Sequence, residues 1–171
     1  MTGPEGHVPR AERTLVVCKP DAVARGLIGR VVQRIEDAGL KIVGAKMALM
    51  DAAFTRQHYA DLEQRHGAAV YAANAEAMRR GPVLALVVEG VEAVGNVRRL
   101  VGPTYPDQAP PGTVRGDFAH HSRAHCTAAG KAVANLIHAS ATPEEAAAEV
   151  ALWFSEAELF DYTTAAELYT F

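Results

Sequence analysis

The feature that most constrains the fold is the segment Val83 to Glu89, a nearly continuous apolar run directly after the helix-breaking pair Gly81-Pro82. An apolar run of this length is typical of a strand in the interior of a sheet, with neighbours on both sides. A second short apolar run, Thr14 to Cys18, is soon followed by Pro20, which predicts the end of another buried strand. The chain is therefore expected to fold around a covered β-sheet.

Helix-like and strand-like segments alternate along the rest of the chain. Apolar side chains at positions 28, 31, 32 and 35 recur at helical spacing, and Gly39 predicts the end of that helix. The patterns further predict a strand within 40–50, helices over 51–62, 68–80 and 91–101, a long Pro-rich structured loop over 102–116, a short strand within 131–138, and a helix over 142–154. This order predicts an α/β (α+β) fold of the ferredoxin-like βαββαβ kind, an antiparallel sheet covered by helices on one face.

Composition favours one soluble domain. With 171 residues, of which 49% are hydrophobic and 22% charged, the chain is long enough for one core and too apolar to be disordered. We expect residues 1–11, which contain two glycines and two prolines, to be a flexible tail before a single domain of residues 12–171. The longest apolar runs fall far short of the ~18 residues of a membrane span, and the first residues do not resemble a secretory signal. A cytoplasmic protein without a membrane partner is predicted.

Net charge and cysteine content restrict the partners and the redox environment. The formal net charge is -3, whereas a nucleic-acid-binding domain usually carries a basic face, so we predict no nucleic-acid partner. The chain has two cysteines, Cys18 and Cys126, far apart in sequence and without CxxC spacing. Reduced thiols in a cytosolic protein are the simplest interpretation, and a single disulfide is the alternative.

Polar residues that suit a polyphosphate are concentrated in four segments. The four are Lys19-Pro20-Asp21, Arg98 with Gly102-Pro103-Thr104, residues 111–117 around Arg115, and residues 135–140 with Asn135, His138 and Ser140. Lysine and arginine neutralise phosphate charge, hydroxyl and amide groups orient it, and a largely neutral imidazole can act as the nucleophile. Glu149, on the next predicted helix, could accept the second N–H of the His138 ring. Taken singly, each residue also fits an ordinary structural or surface role.

Several sequence motifs occur together and in a fixed order. They are Glu12-Arg13-Thr14, Lys19 to Val23, Arg25 to Gly29, His58-Tyr59, Gly81-Pro82-Val83, Pro111 to Phe118, Asn135 to Ser140 and Leu152-Trp153-Phe154. With these motifs the chain resembles the nucleoside diphosphate kinase family from about Glu12 to Tyr162. The Asn-x-x-His-x-Ser segment is specific when an Arg-Gly-Asp-Phe segment precedes it, as it does here.

The resemblance implies a nucleoside diphosphate kinase, a phosphotransferase that moves the γ-phosphoryl group of a nucleoside triphosphate such as ATP to a nucleoside diphosphate. Transfer would be ping-pong, through a phosphohistidine on His138, with Ser140 and Glu149 supporting the ring. The implied nucleotide-binding residues are Lys19, Tyr59, Arg98, Thr104, Arg115 and Asn135. The implied cofactor is Mg²⁺, carried by the nucleotide phosphates and not by protein ligands. The implied assembly is a homo-oligomer, hexamer or tetramer, with residues 102–116 at subunit contacts.

Two parts of the chain depart from the family pattern. The aromatic ring that would stack on the base has no clear counterpart, and Val70 and Tyr71 are the nearest candidates. An insertion, residues 120–126, holds three histidines and Cys126. We interpret the insertion as an exposed loop that faces the nucleotide or another subunit, with a transition-metal site as the alternative. The roles of the N-terminal tail and of residues 162–171 are left open.

Two other classes of function are kept as alternatives. The first is a small regulatory or ligand-binding module without turnover, which a covalent phosphohistidine would rule out. The second is a nucleic-acid-binding sheet domain, which would need exposed aromatic residues and a basic face. Base preference is not evident from the sequence, and shared use of ribose and phosphate implies little of it.

Overall fold

The computed structural model describes residues 11–170, in which four strands form one sheet. The strands are β1 (Ala11–Cys18), β2 (Lys41–Ala48), β3 (Val83–Val91) and β4 (Ile137–Ala139). Their order across the sheet is β2-β3-β1-β4, and every neighbouring pair is antiparallel. The predicted ferredoxin-like α+β fold is confirmed, with β1 and β3 in the centre. The predicted tail, residues 1–11, lies outside the described residues except for Ala11, the first residue of β1.

Helices connect the strands and follow β4. They are α1 (Pro20–Ala24), α2 (Ile28–Asp37), α3 (Ala52–His58), α4 (Leu62–His66), α5 (Ala68–Met78), α6 (Ala93–Val101), α7 (Val114–Phe118), α8 (Arg123–Ala129), α9 (Pro143–Trp153) and α10 (Glu167–Thr170). Two short 3₁₀ helices occupy Pro106–Gln108 and Glu156–Glu158. Within residues 11–170, no helix is both long enough and apolar enough to cross a bilayer.

Several boundaries differ from the predictions, and each difference involves a short helix. The single helix predicted over 51–62 is two helices, since α3 ends at His58 and α4 begins at Leu62. The predicted loop over 102–116 contains a 3₁₀ helix and the start of α7, and the insertion includes the start of α8 instead of being a loop throughout. The strand predicted within 131–138 is only Ile137–Ala139. Helices of one or two turns are too short to show an apolar period, and α7 and α8 begin at the capping side chains of Thr113 and Ser122.

The sheet is covered on both faces, so the prediction of helices on one face was wrong. One core contains Val16, Cys18, Leu86 and Val88 of the central strands, packed with Val31 and Ile35 of α2 and with Val97 and Val101 of α6. The other core contains Leu15, Val17, Ala85 and Val87 of the same strands, packed with Met78 of α5 and Trp153 of α9. Successive side chains of a strand point to opposite faces, so an unbroken apolar run needs cover on both.

The predicted helix starts at Asp51 and Thr142 are confirmed by their caps. Asp51 accepts a hydrogen bond from the Phe54 backbone N–H, and Thr142 accepts one from Glu145. The two cysteines are free and buried, so the alternative of a disulfide is not realised. Burial raises the pKa of Cys18 to about 12, which keeps this residue a thiol that packs as a small apolar side chain.

The C-terminal segment, whose role the sequence left open, packs along the edge strand β2. The Phe160 backbone N–H and the Tyr162 hydroxyl each donate to a backbone carbonyl of β2 at 2.8 Å. The buried Lys41 ammonium lies 2.8 Å from the carbonyl oxygen of Tyr162 and 2.8 Å from a carboxylate oxygen of Glu167. This segment therefore covers a sheet edge that would otherwise present unpaired backbone groups.

Candidate active site

The polar residues singled out in the sequence converge where β4 meets the end of β1. His138 lies in β4 directly opposite Val17 of β1. Leu136, just before β4, is fully buried and has a left-handed backbone with φ 70°, an uncommon conformation for this residue type. Its backbone N–H donates to Asp21 of α1 at 3.0 Å. The short strand therefore enters the sheet through a bend that side chains from other elements hold in place.

Arg115, on α7, holds the same bend from the other side. The buried guanidinium donates to the carbonyl oxygens of Asn135 at 3.3 Å and Ile137 at 2.6 Å, on either side of the bend, and to that of Gly102 at 2.8 Å. A guanidinium has five N–H groups, so two are left to bind an anion. Burial, with the nearby charge of Arg98, lowers the pKa of Arg115 to about 10, so the group stays cationic at neutral pH.

Lys19 is the second buried cation of the site. It is the N-cap of α1, is only 6% exposed, and donates from Nζ to Oδ1 of Asn135 at 2.8 Å. The amide nitrogen of Asn135 in turn donates to the carbonyl oxygen of Thr104 at 2.8 Å. Burial lowers the pKa of Lys19 to about 8, Asp21 acts in the opposite direction, and Arg115 adds to the lowering. A buried ammonium of this kind gains most from an anionic ligand.

Glu149 of α9 determines the orientation of the His138 ring. The Nε2 atom of His138 lies 2.8 Å from Oε1 of Glu149, and the Ser140 hydroxyl donates to Oε2 at 2.6 Å. Burial acts to raise the pKa of Glu149, but hydrogen bonds from His138 and Ser140 outweigh it and hold this pKa below its ordinary value. Because the carboxylate is the acceptor, Nε2 carries the hydrogen and Nδ1 keeps its lone pair. The His138 side chain is 20% exposed, so that lone pair belongs to a ring that solvent can reach.

His58 and Trp153 also belong to this group, and sequence reasoning missed both as site residues. The His58 ring lies edge-on to the His138 ring with centroids 4.7 Å apart, and Trp153 donates from Nε1 to Nδ1 of His58 at 3.3 Å. Burial, followed by the charge of His138, lowers the pKa of His58 to about 3. His58 is therefore a neutral imidazole. The His58-Tyr59 pair was noted only for its family resemblance, because nothing in the spacing links it to residues 135–140.

The same group contains three possible metal ligands, but its hydrogen bonds argue against a metal. One ligand atom each of His58, His138 and Glu149 lie within 4.8 Å of one another. The Nδ1 atom of His58 accepts from Trp153, and both carboxylate oxygens accept hydrogen bonds. These atoms already have partners, so the group is a hydrogen-bonded cluster.

Three predicted nucleotide-binding residues lie at the margin of the cluster. Arg98 is exposed on α6, with Nη1 3.5 Å from the carbonyl oxygen of Ala139, next to His138. Thr104 is exposed, and its carbonyl oxygen accepts from Asn135. The ring of Tyr59 lies against His58 with centroids 4.7 Å apart, and burial raises the pKa of its phenol. The structure therefore brings these residues to the cluster from three separate elements.

The two candidates for base stacking are on α5, away from these contacts. Val70 is 41% exposed, and Tyr71 lies beneath the guanidinium of Arg56 at 4.2 Å. None of their contacts described within residues 11–170 reaches the residues around His138. Stacking of a base on Val70 or Tyr71 stays a prediction.

The insertion packs on residues 104–108 and not on the His138 cluster. The carbonyl oxygen of His121 accepts from the backbone N–H of Asp107 at 3.4 Å, and the Arg123 guanidinium lies over the Tyr105 ring at 5.8 Å. Among residues 11–170, the histidines of the insertion do not form a set of three close ligand atoms. The alternative of a transition-metal site therefore has no support from the geometry.

Comparison with known proteins agrees with the sequence motifs. The family model for nucleoside diphosphate kinase matches residues 12–159. A nucleoside diphosphate kinase of Borreliella burgdorferi is 44% identical over 153 residues, covering 88% of this chain and 92% of the relative. Nucleoside diphosphate kinase A of Homo sapiens is 39% identical over 156 residues, covering 91% of this chain and 94% of the relative.

Solved structures give the same result. A transition-state mimic of the nucleoside-diphosphate kinase from Borrelia burgdorferi, with bound vanadate and ADP, superposes with a TM-score of 0.91 at 42% identity, covering 94% of this chain and 96% of that chain. An NDP kinase from Pyrobaculum aerophilum superposes with a TM-score of 0.82 at 35% identity, covering 89% and 100%. The chain belongs to the nucleoside diphosphate kinase family.

Proposed function

We propose that the protein transfers the γ-phosphoryl group of a nucleoside triphosphate such as ATP to a nucleoside diphosphate, in two steps that share one phosphohistidine on His138. The observation that carries this proposal is the state of the His138 ring. Its Nε2 atom is hydrogen-bonded to Glu149, which leaves the Nδ1 lone pair as the nucleophile. Lys19 and Arg115 are buried cations that both donate hydrogen bonds to the same short segment, residues 135–137.

In the first step, Nδ1 attacks the γ-phosphorus and forms a P–N bond, while the bond from phosphorus to the bridging oxygen breaks. The nucleoside diphosphate leaves with that electron pair. In the second step, a terminal oxygen of another nucleoside diphosphate attacks the phosphohistidine, and the P–N bond electrons return to Nδ1. The proton on Nε2 stays in place throughout, and the Glu149 carboxylate balances the positive charge that develops on the ring. The Ser140 hydroxyl fixes the other carboxylate oxygen.

Charge stabilisation and positioning supply most of the catalysis in this scheme. Lys19, Arg115 and Arg98 neutralise the phosphate oxygens, and Thr104 supplies a hydroxyl for the same purpose. Asn135, together with Lys19, faces the ribose hydroxyls, and Tyr59 lies beside the phosphate path. Because the two substrates bind in turn, the site never has to hold two polyphosphates at once. That order lowers the electrostatic repulsion that a ternary complex would have to overcome.

We further propose Mg²⁺ as the cofactor, carried by the nucleotide and not by protein ligands. Three cationic side chains leave part of a triphosphate charge uncompensated, and the nearby Asp21 carboxylate already accepts from the Leu136 backbone. Mg²⁺ commonly binds through substrate phosphates and waters, with few protein ligands. When bound, the ion would neutralise phosphate oxygens and restrict their geometry.

A homo-oligomer, either hexamer or tetramer, with residues 102–116 at subunit contacts completes the proposal, together with a cytoplasmic location. In support of a contact role, Pro110, Pro111 and Gly112 are exposed, although their backbone is hydrogen-bonded to the side chains of Thr113 and Asp117. A monomeric mass in light scattering at micromolar concentration would contradict this assembly.

The test of the proposed function is covalent labelling with γ-³²P-ATP. The wild-type protein should acquire acid-labile, base-stable label, as expected for a phosphohistidine. The His138→Ala variant should acquire none, while the matched control His66→Ala, which removes an exposed histidine of α4, should be labelled like the wild type. An unlabelled wild type, or full labelling of His138→Ala, would overturn the proposal and favour a ligand-binding module.

A further inference from the structure

Glu149 lies between two imidazoles, and only the His138 ring is within hydrogen-bonding distance of its carboxylate. Its Oε1 atom is 2.8 Å from Nε2 of His138 and 3.7 Å from Nδ1 of His58. The rings themselves are in edge-to-face contact, with centroids 4.7 Å apart. If His58 carried its hydrogen on Nδ1, a small shift of its ring would bring a second donor to the same carboxylate oxygen and weaken the bond from His138. Another interaction must therefore prevent His58 from donating to the Glu149 carboxylate that orients His138.

Trp153 supplies the necessary constraint. Its indole nitrogen can only donate, and it lies 3.3 Å from Nδ1 of His58. Nδ1 must then present a lone pair, and the hydrogen of the neutral ring must be on Nε2. That Nε2–H group is buried and has no hydrogen-bond partner within residues 11–170. His58 is thus held in the tautomer that leaves a buried donor unsatisfied, which is unfavourable unless another interaction requires it.

The opposite tautomer would suit His58 better if Trp153 were not there. A hydrogen on Nδ1, which lies 3.7 Å from Oε1 of Glu149, could be donated to that carboxylate after a small shift of the ring, and Nε2 would no longer be a buried donor without an acceptor. With Trp153 present, that hydrogen would instead meet the indole N–H at 3.3 Å. The titratable groups that act on His58 from the surrounding elements are His138, Glu149 and Lys19, with the Tyr59 ring in contact. Of these, Glu149 is the acceptor that lies close to both histidines.

We propose that Trp153, by donating to Nδ1 of His58, reserves Glu149 for His138. Trp153 and His58 are then positioning residues that act through the Glu149–His138 hydrogen bond, and neither contacts the phosphoryl group. The arrangement of hydrogens is independent of the reaction, whereas its effect on turnover rests on the proposed function. The two levels are therefore tested by different measurements.

The first measurement is ¹⁵N NMR of the imidazole nitrogens, which reports which nitrogen carries the hydrogen without any substrate. In the wild-type protein, Nδ1 of His58 should be unprotonated and Nε2 protonated, and both His138 and His58 should be resolved as Nε2–H tautomers. In Trp153→Phe, which keeps an aromatic ring and removes the donor, the His58 hydrogen should move to Nδ1. The matched control is Phe54→Leu, which changes the packing partner of the Trp153 ring at 4.8 Å and keeps the indole N–H. Its His58 tautomer should be that of the wild type.

The wild-type spectrum alone can overturn the proposal, even if Trp153→Phe does not fold. A hydrogen on Nδ1 of wild-type His58 would be incompatible with acceptance from Trp153. An unchanged His58 tautomer in a folded Trp153→Phe protein would equally exclude Trp153 as the cause. Both results stand whether or not the protein phosphorylates nucleotides.

The second measurement is a double-mutant cycle on turnover. Trp153→Phe should lower kcat by about tenfold with little change in KM, since one hydrogen bond to the nucleophile is weakened and no substrate contact is removed. Adding His58→Phe removes the competing imidazole, so the double variant should recover most of that loss. A merely structural role would give a double variant as slow as Trp153→Phe or slower. That outcome would refute the proposal, whereas an unlabelled wild-type protein would refute the proposed function instead.

Discussion

The molecule contains two groups of neighbouring histidines that differ in what surrounds them. In the first, the ring centroids of His58 and His138 lie 4.7 Å apart, and both rings lie close to the buried carboxylate of Glu149. In the second, the insertion, ring centroids of His121 lie 5.0 Å from His120 and 5.9 Å from His125. Two of the three histidine side chains of the insertion are exposed, and within residues 11–170 none of the three forms an ion pair with a carboxylate.

The comparison shows that ring proximity alone does not make a reactive site. Histidines at similar spacing gain a defined tautomer only where an acceptor fixes one nitrogen, and they gain electrostatic assistance only where buried cations converge. The first group has both, and its members come from α3, β4 and α9. The second comes from one short stretch of sequence and has neither.

The largest difference expected between the two groups is in turnover. His138→Ala should reduce phosphoryl transfer to background, because the nucleophile is lost. A variant with His120, His121 and His125 all changed to alanine should stay within about twofold of wild type, as is usual for surface substitutions away from a site. A coupled assay of nucleoside triphosphate formation measures both. The comparison would fail if the triple variant were as inactive as His138→Ala.

The next largest effect on turnover should come from removing a buried cation near His138. Arg115→Ala should lower kcat/KM by about 10²- to 10³-fold, the range for loss of one donor that stabilises transition-state charge. Arg123→Ala, which removes an exposed arginine of the insertion, is the control and should have little effect. Arg115 also binds backbone carbonyls, so circular dichroism and a thermal melt are needed to separate misfolding from lost catalysis. Equal kcat/KM for the folded Arg115→Ala and wild type would remove it from the site.

A smaller effect should appear in the pH dependence of nucleotide binding. The pKa of Lys19 is lowered from 10.5 to about 8, so its charge in the free protein is lost as the pH rises through 8. The nucleotide KM should therefore rise above pH 8, and Lys19→Arg, which stays charged, should flatten that rise.

The contribution of Lys19 to the free energy of unfolding should change in the opposite sense, becoming more favourable as the pH rises. Between pH 8 and 10.5 the unfolded chain binds more protons at this position, so the destabilising contribution of Lys19 is present below pH 8 and diminishes as the pH rises. Chemical unfolding across this range checks the sign, and a KM that falls with pH would contradict the assignment.

The smallest expected effect is that of a chelator or a metal ion on the melting temperature of the protein. A chelator should stop transfer, because the proposed Mg²⁺ accompanies the nucleotide. The same chelator, or added Zn²⁺, should shift the melting temperature by no more than about 1 °C, since neither histidine group is expected to bind a metal. A large rise in melting temperature with Zn²⁺ that disappears in the triple variant of the insertion would reinstate the metal interpretation.

Much of the fold was predictable because its strongest signals are local. Residues 15–18 of β1 and 83–88 of β3 are apolar without interruption, and the Thr142-Pro143 start of α9 is a capping pattern readable from adjacent residues. The helices that were not predicted are α1, α4, α7, α8 and α10, which are too short to establish a helical period. The second covered face was missed although the information was present, since strand segments that are apolar at consecutive positions need cover on both sides.

The candidate site was less predictable than the fold, because its members are joined by tertiary contacts. Glu149 was anticipated as a partner for His138, and the structure brings the two within 2.8 Å. The role of Trp153 could not be anticipated, since it depends on how α9 packs against α3 across one face of the sheet. Conversely, the metal-site alternative for the insertion depended only on residues that lie close together in sequence. Spatial convergence of distant segments is the information that a single sequence does not display.

The bend at Leu136 has a consequence for how a ligand binds. The left-handed leucine is stabilised by Arg115, which donates to the carbonyl oxygens on both sides of it, and by Asp21, which accepts from its own backbone N–H. The same bend brings Lys19 and Asn135 within 2.8 Å of each other. These side chains are therefore held in position by hydrogen bonds within the chain itself. Each nucleotide would therefore bind to side chains that are already preorganised.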